Sequence, residues 1–149
     1  FPGLRLRGAP GADGYRDPVT SRAVRNYGFA HAVHGAQAIE LGDLAGAGRH
    51  LSKALVLPLE RRTEAAALTH LALVYGLAGR PERCEPLYRK AIALEPDFAP
   101  ALFGLGKLLV IQRRQYPEAL SLLSRAAARP DFLSNGERLE LGRLLSALK

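Results

Sequence analysis

Residues Ala65 to Phe98 read AAALTHLALVYGLAGRPERCEPLYRKAIALEPDF, and this stretch decides the fold. Leu68, Leu71, Ala72 and Tyr75 fall at i, i+3, i+4 and i+7, which places them on one face of a helix. Gly79 stops that helix and Pro81 opens the next, the usual division of labour between a C-terminal glycine and an N-terminal proline. Cys84, Tyr88 and Ala91 then recur at i, i+4 and i+7, and Pro96 closes the segment. The spacing predicts two antiparallel helices joined by a tight turn, with their apolar faces together.

The same pattern repeats on either side. Ala99 to Phe132 carries Leu102, Leu105, Gly106 and Leu109, then Ala119, Leu123 and Ala126, with Pro117 opening the second helix and Pro130 near the end. Its turn, Gln112 to Tyr116, is one residue longer than the preceding one. The unit before, about Gly28 to Arg61, keeps Ala47, Leu51, Ala54 and Pro58 in its second helix. Its first helix is irregular, with His31, His34, Gly35 and Ala38, and is expected to start near Thr20 or Ser21. The link Leu59 to Glu64 is longer than the minimum. After the last unit, Ser134 and Glu137 have the spacing of a capping box. Leu139, Leu141, Leu144, Leu145 and Leu148 are expected to form one apolar stripe behind it.

A period of 34 residues with this punctuation resembles the tetratricopeptide repeat (TPR). Leu68, Leu71-Ala72, Tyr75, Cys84, Tyr88, Ala91 and Pro96 occupy the signature positions, Cys84 standing where a small residue is usual. The resemblance covers about Gly28 to Lys149. It implies an all-α fold, a right-handed superhelical array of antiparallel helix pairs (a TPR-like α-solenoid) with a C-terminal capping helix. The expected organisation is an irregular N-terminal arm over residues 1–18 and a TPR-like domain over 19–149. Within it the repeats span about 28–61, 65–98 and 99–132, and the capping helix about 134–148. A terminal helix is expected because the last repeat has no neighbour to cover it.

Composition agrees. The chain has 149 residues, 48% hydrophobic and 23% charged, values of a globular domain rather than a disordered tail. The arm is rich in Gly and Pro (Pro2, Gly3, Gly8, Pro10, Gly11, Gly14, Pro18), which disfavours helix there. Cys84 is the only cysteine, so no intrachain disulfide forms. No apolar run approaches the ~20 residues of a membrane-spanning helix. The chain begins at Phe1 and has no Met, which reads as a processed or excised product.

The net charge of +7 permits acidic protein, nucleic acid or anionic lipid as partners. The cationic residues are nevertheless spread over second helices and turns, without the interleaved aromatics that stack on bases, so nucleic acid is not expected. Catalysis is not expected either: no nucleophile elbow, metalloprotease motif or phosphate loop is present. His31 and His34, at i and i+3, have ligand-like spacing but no third ligand nearby, and read as packing histidines. Cys84 reads as a buried thiol. No cofactor and no metal are expected.

In the resemblance, the first helices of each pair line a concave groove. Some family members hold a partner's terminal carboxylate there with Lys, Asn and Arg. The matching positions here are Ala32, Ala36, His70, Pro100 and Gly104, so that clamp is missing. The remaining groove positions hold Phe29, Ile39, Thr69, Leu73, Phe103, Lys107 and Val110, a mainly apolar strip. The resemblance thus implies a protein-interaction module taking a peptide or helix of a partner into an apolar groove. The alternative is a structural subunit whose groove is filled by its own arm, a second copy or a neighbour in a larger complex.

Overall fold

The computed structural model describes residues 18–149. Most of the expected arm, including Phe1, Leu4, Leu6 and Tyr15, lies outside the described residues. Within them the chain forms α1 (Pro18–Glu40), α2 (Leu44–Leu55), α3 (Arg61–Leu77), α4 (Cys84–Leu94), α5 (Ala99–Ile111), α6 (Tyr116–Ala127) and α7 (Asn135–Leu148), and no strand. Short 3-10 turns at Pro81–Arg83 and Pro130–Phe132 precede α4 and α7. α1 starts upstream of Thr20, and Pro18, expected in the arm, belongs to its first turn, where a missing N–H costs nothing.

The helices pair as α1 with α2, α3 with α4 and α5 with α6, and successive pairs stack so that α1, α3 and α5 lie side by side. Two sequence features set this geometry. The first is the turn. Gly42, Gly79 and Arg113 each end a first helix with positive φ, at 77°, 75° and 53°. Glycine adopts that conformation without strain, and it folds the chain back within a few residues. The extra residue in the third turn is absorbed by a second left-handed residue, Gln115, at φ 48°.

The second feature is close approach within each pair. A Cβ added at Gly35 would sit 2.6 Å from Leu51, and one at Gly106 would sit 2.7 Å from Leu123. The glycine in each first helix is therefore the socket for the leucine of the second. In the middle pair the same place is taken by Ala72, whose carbonyl accepts a hydrogen bond from the Cys84 thiol at 3.1 Å.

The interior has two apolar clusters. One, with Ala47, Leu51, Ala54, Leu71 and Val74, joins the first and second pairs. The other, with Leu68, Tyr88, Leu102, Leu105, Leu109 and Leu123, joins the second and third. Leu55, Tyr75 and Leu87 pack against both. Each fully buried leucine contributes roughly 1.5–3 kcal/mol over an exposed one.

α7 closes the array. Ser134 accepts from the Glu137 N–H at 3.2 Å, and the Glu137 carboxylate accepts from the Ser134 N–H at 2.7 Å, which completes the capping box. Leu141 is buried, and Leu144, Leu145 and Leu148 pack on the second cluster. Leu139, expected in that stripe, is 68% exposed. Two residues apart means about 200° around a helix, so Leu139 and Leu141 cannot share a face.

Candidate partner-binding groove

The inner face begins on α1. Phe29, Ala32, Val33 and Ala36 fall at i, i+3, i+4 and i+7 and form one edge of an apolar cleft of ≈ 350 Å³. The other edge is the first half of α3, with Thr63, Ala66, Ala67 and His70, and Phe98 also lines the cleft. Phe29 is 57% exposed although it is a large aromatic ring, and Leu73, one turn beyond His70 on α3, is 40% exposed. Of the residues singled out in sequence, Phe29, Ala32, Ala36 and His70 thus meet around one cavity.

The others have different surroundings. Thr69 is buried, and its hydroxyl donates back to the Ala65 carbonyl at 2.8 Å. Ile39 packs against the first cluster and Val110 against the second. Phe103 is only 5% exposed. Lys107 explains part of that burial: its ammonium lies 5.9 Å from the Phe103 ring centre and pairs with Glu140 of α7 at 2.9 Å. α7 therefore acts as the next inner helix and covers this end of the strip. Gly104 has a packing role as well, since a Cβ there would collide with the Tyr88 ring.

Polar groups around the cleft were only partly visible in sequence. His70 is held below its ordinary pKa by burial, against the pull of Glu137 and Glu40. Arg62 lines the cleft and stacks over Phe132, 4.6 Å from the ring centre. Next to the apolar cleft, and sharing Phe29, Glu60 and Thr63 with it, lies a second pocket of ≈ 400 Å³ lined by Arg22, Arg25 and Asn26. These three were not singled out in sequence. The signal was there: Arg22, Arg25, Asn26 and Phe29 have the same i, i+3, i+4, i+7 spacing that continues into the apolar stripe.

The remaining reactive groups are packed. His31 is buried, its Nδ1 lies 2.9 Å from Nδ1 of His50, and Tyr27 meets its ring edge-on at 4.6 Å. His34 is exposed and contacts the His50 ring. Among the described residues no three His, Cys, Asp or Glu side chains converge to hold a metal. Cys84 is buried, and burial pushes its thiol pKa up, with Glu82 adding to the shift. Some cations of the second helices and turns are paired, Arg89 with Glu85 and Glu118, and Arg129 with Asp97.

Solved structures share this fold. The TPR2B domain of yeast Sti1, in a TPR2B-domain:pHsp70 complex, superimposes with a TM-score of 0.66 at 17% identity, covering 83% of this chain and 96% of that one. The Sgt2 TPR domain of Aspergillus fumigatus gives 0.60 at 18% identity, with 89% and 78% covered. The fold is TPR-like. Pseudomonas aeruginosa PilF gives 0.67 at 26% identity, covering 87% of this chain, which spans about half, 54%, of PilF. No family model matches the chain, and no curated protein matches it in sequence. Within the TPR-like array, among the described residues, no helix is long and apolar enough to cross a membrane.

Proposed function

We propose that this chain is a protein-interaction module that takes a peptide or helix of a partner protein between α1 and α3. The observation that carries the reading is the exposed apolar cleft of ≈ 350 Å³ with Phe29 standing at its edge. Exposed apolar surface costs free energy in water, and a contiguous strip of it on the inner face of a helical array is what a docking partner covers. The fold supports the reading, because structures of this architecture include a domain solved in complex with pHsp70. The reading is of a binding module rather than an enzyme. A single helix or extended segment laid in such a groove uses a few apolar anchors for affinity.

Affinity capture from the native source, with the full chain as bait, tests this. Phe29→Asp together with Leu73→Asp places two charges on exposed positions of the strip, so the fold is retained by circular dichroism. The expected result is loss of captured partners, at least ten-fold in affinity. Phe103→Asp is unsuitable, since Phe103 is buried and its replacement would unfold the domain. Unaltered binding of every partner by the double variant refutes the groove.

A further inference from the structure

Resting on the groove reading, we infer that the partner segment is amphipathic along its length: apolar side chains in one half and acidic side chains in the other. One face of α1 presents both halves of the complement. Arg22, Arg25 and Asn26 line the polar pocket, and Phe29, Ala32, Val33 and Ala36 continue the same stripe into the apolar cleft. From Arg22 to Ala36 the stripe is about 21 Å long at 1.5 Å per residue. A bound helix of about fourteen residues spans it.

Three observations give the sign of the charge. Arg22 and Arg25 are both exposed, line the same pocket and have no ion-pair partner among the described residues, so two guanidiniums on one helix face are open to an anion. The first turn of α3 also borders this pocket through Thr63, and its N-cap residue Glu60 makes no side-chain cap bond. The N–H groups of that turn are therefore left for an external acceptor, and the positive end of the helix dipole favours an anion. Glu60 opposes this with one carboxylate, against two guanidiniums and the helix end.

The same charges argue against the chain's own N-terminal segment as occupant. Before Pro18 it carries Arg5, Arg7 and Arg16 against Asp13 and Asp17, so its side-chain charge has the same sign as Arg22 and Arg25. A terminal carboxylate is not required, because the acidic group is read at α1 and α3 rather than at Ala32, Ala36, His70, Pro100 and Gly104.

Fluorescence anisotropy on the full chain tests the inference. Three fluorescein-labelled, C-terminally amidated helical peptides share an apolar half of Leu and Phe and differ in the other half, which carries Glu, Gln or Lys. The Glu peptide should bind at least ten-fold more tightly than the Gln peptide. That advantage should collapse between ~50 and ~500 mM salt, as expected for exposed charges. Arg22→Glu with Arg25→Glu should invert the preference in favour of the Lys peptide. Equal binding of all three peptides overturns the acidic assignment while leaving the groove intact. Failure of all three to bind, with Phe29→Asp losing no captured partner, overturns the groove as well. Tighter binding of a single-stranded oligonucleotide than of the Glu peptide, lost in the same double variant, would assign the arginines to polyphosphate and overturn the proposal.

Discussion

His31 and His50 show what one buried contact imposes. Their Nδ1 atoms face each other at 2.9 Å, so one must donate and the other accept, and the pair holds a single proton between these two atoms. The Nε2 of His31 is buried with no hydrogen-bond partner. Everything around His31 resists a second proton: burial first, then His50 and Lys53 on α2, and His34 on α1, with no carboxylate opposing them. Its pKa in the fold is lowered from 6.5. The unfolded chain therefore binds more protons near and below that value. By linkage, the stability this group contributes is complete above pH 6.5 and is lost as pH falls from there towards the folded-state pKa, below which the loss levels off. His70, shifted in the same direction, adds to the slope. Urea midpoints should fall between about pH 7.5 and pH 5.5, and His31→Leu should flatten that fall. An undiminished slope in the variant would place the titration elsewhere.

Turns make the corresponding test at the level of elements. Gly79 and Arg113 stand one repeat apart, and both adopt positive φ. A side chain in that region costs roughly 1–2 kcal/mol, whereas glycine's extra freedom in the unfolded chain costs about 0.4–1 kcal/mol. Gly79→Ala should destabilise the domain by about 1 kcal/mol, while Arg113→Gly should be neutral or slightly stabilising in urea denaturation. Equal losses from both would mean the turns are not equivalent. This regularity is also why the elements were legible in sequence. Gly79, Pro81, Pro117 and the Ser134/Glu137 cap act on their own neighbourhood, and the spacing of Leu68, Leu71 and Tyr75 follows from the helix itself. The candidate site was legible only in part. His50 lies nineteen residues from His31, in another helix, so no local pattern joins them. Phe103 occupies an inner-face position by register, but α7 and the Lys107–Glu140 pair cover it, and that depends on how the end of the array closes. Leu139 misled because leucines two residues apart look like a stripe only until helical angle is applied. Arg22 and Arg25 lie in the part of α1 that precedes the repeat beginning near Gly28, where the repeat pattern assigns no groove positions.

At the scale of the molecule, the two clusters touch through very few side chains, and Tyr75 is one of them. It packs against both, is neither fully buried nor free, and carries Arg83 over its ring at 5.4 Å. In a linear array, each pair gains stability only from its neighbours, so the interface between the first and second pairs sets how firmly α1 and α2 are held. The third pair has α7 as a further neighbour, and α1 and α2 have no such helix on their outer side among the described residues. Tyr75→Ala should therefore act unequally. The total cost should be about 2–4 kcal/mol, below that of a fully buried aromatic because the ring retains some exposure. Native-state hydrogen exchange should show the loss concentrated in α1 and α2, which open locally, while amides of α5 and α6 keep most of their protection. This matters for binding, because the proposed groove has one edge on α1 and the other on α3. A variant that loosens α1 should weaken partner binding although it touches no groove residue. A uniform fall in protection across all helices would show that the array unfolds as one cooperative unit and that Tyr75 does not couple its first pair to the rest.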